Sequence, residues 1–313
     1  MFGALSFRYC HRGLYLAGMT MLSFCIGLLL AGCNTASHSY LIKKSTDFKA
    51  DMGRALLQVE LRDSNFFSVS VIQDPGARVA MSQSLSAAYQ SVPPSPGASP
   101  GGMAAAYVFS TYFMKAKADS DMHTAASEKA AGLSELLLKD ESKQRIKLLI
   151  TEKIQSMESA DIETTVADDA CCDRKIVVTP QVRLSNDLRT LEVKLDCTVF
   201  HAASRSDKAI YKNSFVYHTK PQLEEKGISY WSDDNALKLF QAFDEAFEEI
   251  ASMIDYEFMP GKPDKKNSTV STIKFRNERG AFYERGTLLW KTKQRIVLRD
   301  LRGNLRSFHG ELL

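Results

Sequence analysis

Charge is absent from two long stretches of this 313-residue chain, residues 13–32 and 79–114. Catalytic signatures are missing too. There is no H-E-x-x-H, no G-x-S-x-G, no P-loop and no G-x-G-x-x-G opening a helix. Zinc peptidase, α/β-hydrolase, nucleotide hydrolase and dinucleotide-binding enzyme classes therefore have no support. His201 and His218 fall on neighbouring expected strands, near Ala209 and Glu192 respectively, and that separation denies them a shared metal. What is present, 44% hydrophobic and 25% charged residues, is ordinary globular composition.

Arg8 and Arg12 precede the uncharged run 13–32, and the run ends at Leu30-Ala31-Gly32-Cys33. A positive start, an apolar stretch and a small-small-Cys exit resemble a bacterial lipoprotein signal peptide with its lipobox. The resemblance implies that Cys33 accepts a diacylglyceryl group as a thioether and becomes the first mature residue, carrying several acyl chains. One chain holds a protein to a membrane marginally, whereas two or more hold it durably. Asn34 is not the Asp that favours inner-membrane retention, so the expectation is the outer membrane, facing the periplasm, ahead of the inner membrane. The competing reading is an uncleaved transmembrane anchor, since about 20 apolar residues suffice to span.

The residues after Cys33 divide unevenly in charge. Residues 262–313 hold 13 Lys/Arg against five Asp/Glu, and residues 34–261 hold 25 against 32. An acidic body and a basic tail are distinct electrostatic objects. Of six cysteines, Cys10 and Cys25 leave with the leader and Cys33 is acylated, which leaves Cys171, Cys172 and Cys197. An odd number in an oxidising compartment excludes a fully paired framework. The candidate disulfide is Cys172–Cys197. Against it, Cys197 is expected opposite Ile176, roughly 13 Å of strand from Cys172. Free cysteines and a soft-metal site at Asp168-Asp169-Ala170-Cys171-Cys172-Asp173 are the other readings, although neighbouring acids oppose thiolate formation.

Read in order, residues 34–50 form a polar tether. Leu57, Val59 and Leu61 alternate as a half-buried strand, with 66–72 as its hairpin partner. Prolines in 92–102 exclude helix and central strand there, leaving a loop. Residues 103–114 are apolar all round, which fits a core helix or a partner groove, and 12 residues are too few to span a bilayer. Leu133, Leu136 and Leu137, then Ile146, Leu149, Ile150, Ile154 and Met157, form helical stripes on either side of a break or exposed turn at 139–142.

The clearest fold signal is a three-stranded meander over 175–219. Simple turns place Val178 opposite Leu195 opposite Phe215, and Val182 opposite Leu191. Pro180 lacks a donor and points to an edge strand. Ser232 is the expected N-cap of a long helix whose buried stripe is Leu239, Phe240, Phe243, Phe247, Ile250 and Ile254, with Glu245, Glu248 and Glu249 on its wet face. Beyond a linker at 259–269, short strand-like runs are punctuated by Asn277, Gly280, Gly286 and Gly303-Asn304 as turns. The fold class is α+β: an antiparallel sheet (the meander plus N-terminal strands) packed by long helices across a body at 51–258, with a small basic β-rich C-terminal module at 270–313. About 45 residues are marginal alone, which argues for packing on the body.

The basic tail is the leading functional candidate. Lys291, Lys293, Arg295, Arg299, Arg302 and Arg306 surround Trp290 and Phe308, and arginine binds phosphate or carboxylate bidentately. Candidate anions are lipid headgroups, lipopolysaccharide phosphates, peptidoglycan carboxylates and the acidic body itself. Nucleic acid fits the charge but not the compartment. A solvated charge pattern with no dedicated ligand is the plain alternative.

Several features resemble a group of uncharacterised proteobacterial envelope lipoproteins. They are Gly101-Gly102 leading into 103–114, the strand Tyr211-Lys212-Asn213-Ser214, Trp231 before a helix that ends near Met253-Ile254-Asp255, and Arg299-Asp300-Leu301-Arg302-Gly303. The resemblance implies no activity. The expectation is a non-enzymatic lipoprotein without metal or cofactor, attached to the membrane through Cys33. It contacts an envelope protein complex or an anionic envelope component through its C-terminal module. A transport-auxiliary or small apolar-ligand-binding lipoprotein is second, and an enzyme third.

Overall fold

The structure, a computed structural model, describes residues 54–63, 66–70, 120–158, 161–163, 174–201, 208–222, 226–259, 269–277 and 280–313. The leader with Cys33, the tether 34–50, the loop 92–102, the run 103–114, residues 168–173 and linker residues 260–268 lie outside the described residues.

Alternation of apolar residues produces long strands whose one face is shut away from water. β4 (Arg174–Ser185), β5 (Leu191–His201) and β6 (Tyr211–His218) form the expected antiparallel meander. Leu195 stands opposite Phe215, as the pattern requires. Val178 stands opposite Cys197 rather than Leu195, and Val182 opposite Val193 rather than Leu191. The two-residue shift keeps the same face buried, so hydrophobic alternation alone cannot detect it. Its cause is the turn. Ser185 Oγ accepts hydrogen bonds from the Arg189 and Thr190 amides at 3.2 and 2.9 Å, which lets Leu184 and Leu191 close the hairpin. Cys197, expected opposite Ile176, moves with that shift.

Pro180 does not mark an edge. β1 (Arg54–Val59) and β2 (Phe67–Ser70) both pair with β4 in parallel, on the side away from β5, and β3 (Asp161–Glu163) pairs beyond β1. β1 and β2 are therefore not a hairpin. The last β1 partner is Val178, whose carbonyl accepts from the Glu60 amide. The next contact is the Val182 amide donating to Phe66. Pro180 lies between them with its missing donor turned to the gap where one neighbour ends and the next begins. A proline is tolerated there without an unmade hydrogen bond.

Helices α1 (Ala131–Leu138), α2 (Asp140–Gln155) and α3 (Ser229–Phe258) contribute the buried stripes read from the sequence. Lys139, extended at ψ 144°, is the break between α1 and α2. The start of α3 differs from expectation. Asp234, Asn235 and Ala236 take φ of 51°, 56° and 59°, so an uninterrupted right-handed run begins only after Ala236, and Ser232 does not cap it. Short polar side chains tolerate that conformation, and burial holds Ala236 in it. Upstream, the Trp231 indole donates to the Leu188 carbonyl at 2.8 Å, tying α3 to the β4–β5 turn.

β7 (Ser271–Asn277), β8 (Gly280–Lys291), β9 (Arg295–Asp300) and β10 (Leu305–His309) pair antiparallel in sequence, and β11 (Glu311–Leu312) returns to β7. Only Gly310 separates β10 from β11, so the last strand is shared between β9 and β7 and closes the five into a ring. A Cβ on Gly310 would stand 2.6 Å from the Arg276 carbonyl oxygen, which is why the corner needs glycine. Ile273, Phe275, Phe282, Ile296, Leu298 and Phe308 fill the enclosed face as a core of their own. Gly286, expected as a turn, lies inside β8, and its place there is sheet curvature: a Cβ would come 2.3 Å from the Arg299 carbonyl oxygen. β10 also pairs in parallel with β6, which makes body and ring one mostly antiparallel eleven-stranded sheet. The class is α+β.

Two glycine substitutions should move stability in opposite directions in urea unfolding. Gly286→Ala forces backbone apart and is expected to cost about 2 kcal/mol or more. Gly132→Ala, on α1 with nothing within 4 Å of the added methyl, should add up to about 1 kcal/mol.

Candidate functional site

The seam between α3 and the C-terminal strands is built from matched spacings. Glu249 and Glu257 are eight residues apart on a helix, about 12 Å. Arg295 and Arg299 are four apart on one face of β9, about 13 Å. The two rows coincide. Arg299 Nη2 and Nη1 donate to Glu257 Oε2 and Oε1 at 2.6 and 3.2 Å, and Glu257 is 1% exposed. Arg295 Nε lies 3.9 Å from Glu249 and donates to Ser307 Oγ at 2.9 Å, while Ser307 donates to Glu249 at 2.9 Å. Arg295 also reaches the His218 carbonyl at 3.0 Å and stacks over Tyr217 with its guanidinium carbon 3.9 Å from the ring centre. Burial raises the Tyr217 phenol to about 12, so it stays protonated and donates to Glu245 at 3.4 Å.

His218 closes the seam at the β6–β10 junction. Its ring stacks on Phe308 with centroids 4.6 Å apart, and Arg306 Nη2 approaches Nε2 at 3.2 Å. A guanidinium only donates, so Nε2 must accept, which fixes the neutral ring with its proton on Nδ1. Glu192, 3.8 Å away, would favour the charged form. Burial, reinforced by Arg306 and Arg295, outweighs it and holds the His218 pKa well below its ordinary value of 6.5. Arg306 spends its other nitrogen on Glu284 at 2.8 Å.

The six cations singled out in the sequence therefore do not form one surface. Arg295, Arg299 and Arg306 are half-buried, held by Glu249, Glu257 and Glu284. Lys291 and Lys293 are exposed at the β8–β9 turn, and Arg302 is exposed at the β9–β10 turn, at the opposite end of β9 and roughly 20 Å away. Pattern reading missed Lys274, Arg276 and Arg285, which are exposed on the outer face of β7 and β8. Lys274 stands opposite Tyr283, 5.6 Å from its ring centre, with Arg276 and Arg285 one alternation away on either side. The signal was there in the alternation of Ile273 and Phe275 with Thr272, Lys274 and Arg276. Among the described acids of 269–313, Glu284 is bound to Arg306, and Asp300 accepts from the Arg302 and Asn304 amides, leaving Glu311 exposed.

Cys197 is a free, fully buried thiol, and its pKa is pushed far up by burial, with Asp196 and Glu257 adding to the shift. Such a thiol is inert. Its candidate partner Cys172 lies outside the described residues. His201, on the Arg174 end of β5, and His218, opposite Glu192, lie nine residues apart along β5. Among the described residues, no group of three or more His, Cys, Asp or Glu is placed to hold a metal, and no helix is long and apolar enough to cross a membrane. Scanned against models of known families the chain matches none, and a search of curated proteins finds no match.

Two measurements check the seam. Arg299→Met should cost about 3 kcal/mol by leaving Glu257 buried beside an apolar chain, and the added change Glu257→Leu should restore much of it in a double-mutant cycle. Because the folded His218 pKa lies below its unfolded value, the neutral ring's contribution is complete above pH 6.5 and is lost as pH falls toward the folded pKa. The thermal midpoint of the natural protein should therefore drop between pH 6.5 and 5.5 more steeply than that of His218→Gln.

Proposed function

We propose that this chain is a lipid-anchored envelope protein with a non-catalytic binding or accessory role, contacting an anionic envelope component or a protein partner through a discrete basic C-terminal module. Acylated Cys33 fastens it to the outer membrane on the periplasmic side. The observation that carries the reading is the segregation of charge in the C-terminal strands. Arg306 pairs with Glu284, Arg295 and Arg299 pair with acids of α3, and Asp300 is taken up by the amides of its own turn. Lys274, Arg276, Arg285, Lys291, Lys293 and Arg302 remain exposed against the single described exposed acid Glu311. Folding consumes the negative charge and leaves the positive charge outside, which is the arrangement that attracts anions.

Truncation at the linker would be a poor test, because it strips β6 of β10 and leaves Glu257 without Arg299. Neutralising the six exposed cations to Gln leaves the seam intact. Cross-linking and pull-down from native membranes should then lose partners that the natural protein captures. An unchanged set of partners refutes the binding reading. Separately, Cys33→Ser should abolish incorporation of labelled fatty acid; a Cys33→Ser chain that still takes up label removes the anchor from the proposal.

A further inference from the structure

We infer that the outer face of β7 and β8, together with the β9–β10 turn, is a second membrane contact that seats on the phosphate-bearing lipid interface. Its residues are Lys274, Arg276, Tyr283, Arg285, Leu301 and Arg302. This rests on the reading that the C-terminal strands contact an anionic envelope component, and it names that component as the lipid surface itself.

Register brings these residues together. β7 and β8 place Thr272 beside Arg285 and Lys274 beside Tyr283. β8 and β9 place Gly286 beside Asp300, and Leu301 and Arg302 follow directly in the β9–β10 turn at that end of the strands. Leu301 continues the phase of Arg295, Val297 and Arg299. That face is covered by α3 along β9 but open along β7 and β8. Leu301 is 62% exposed and Tyr283 38%, and among the described residues Val270 and Leu313, flanking β7 and β11, are exposed as well.

A soluble anion would use the cations but has no use for an exposed leucine and tyrosine among them. A bilayer interface offers both, with phosphates for the guanidiniums and an apolar boundary for Leu301 and the Tyr283 ring. The anchor permits the geometry. Cys33 is 21 residues before Arg54, a connection that extends to at most about 70 Å, so this face can return to the leaflet that holds the acyl chains.

The described residues all fall within one compact unit, so a chain without leader or lipid can be tested by co-flotation. The probes are vesicles of phosphatidylcholine alone and with one-third phosphatidylglycerol at physiological salt, plus soluble inorganic polyphosphate. The expected result is selective binding to the anionic vesicles. Arg285→Gln with Arg302→Gln should weaken it about 25-fold, near fivefold per cation, and Leu301→Ser should weaken vesicle binding several-fold while leaving polyphosphate binding alone. Lys147→Gln with Lys238→Gln, exposed on α2 and α3 and outside the C-terminal strands, should change binding less than about twofold. These are exposed positions, and unchanged thermal midpoints confirm that each variant is folded. Loss from the lysine pair equal to that from the arginine pair, or no effect of Leu301→Ser, overturns the inference. Binding to polyphosphate but not to vesicles also overturns it while sparing the anion-binding reading; binding to neither removes both.

Discussion

Glu257 sits near the end of α3 with almost no contact with water, and Arg299 reaches its carboxylate from β9 through two hydrogen bonds, which offsets the cost of burying that charge. The same constraint repeats one step along, where Arg295 and Ser307 satisfy Glu249. Helical and strand rises happen to give the two pairs of charges equal separations. The C-terminal strands are therefore locked onto α3 in a single register, and a shift of one residue on β9 would turn both guanidiniums away from their acids.

That lock explains how strands with a small core of their own remain in place. The ring encloses six buried apolar residues, a modest core by itself. Its stability is shared with the body through β10 on β6, through Val297 and Leu305 in the main core, and through Trp290 against Tyr256. β9 and β10 are consequently buried on both faces. The outer surface of β7 and β8, outside the reach of α3, keeps its cations in water.

Charge thus has two unrelated jobs in one stretch of sequence. Arginines at 295, 299 and 306 are structural, and those at 285 and 302 are available. Sequence distance does not separate them, because both sets occur within about twenty residues. A facing acid does: α3 supplies Glu249 and Glu257 to Arg295 and Arg299, and β8 supplies Glu284 to Arg306. A functional reading that treated all basic residues of the tail as one surface would assign to ligand binding the side chains that hold the protein together.

Much of the architecture was written in local pattern. Alternation in 175–219 and the stripes of α2 and α3 depend on period and burial, which neighbouring residues determine among themselves. What local pattern could not supply was anything that required a partner distant in sequence. Pro180 reads as an edge signal until β1 and β2 meet on either side of it, Gly286 reads as a turn until β9 crosses close by, and Val178 could slide two residues without exposing a single apolar side chain. The cationic site divides on the same ground. The excess of basic residues is a property of composition, whereas which guanidiniums face solvent was decided only when α3 brought Glu249 and Glu257 to β9 and β8 brought Glu284 to β10, because ion pairs between residues so far apart in sequence exist only in three dimensions.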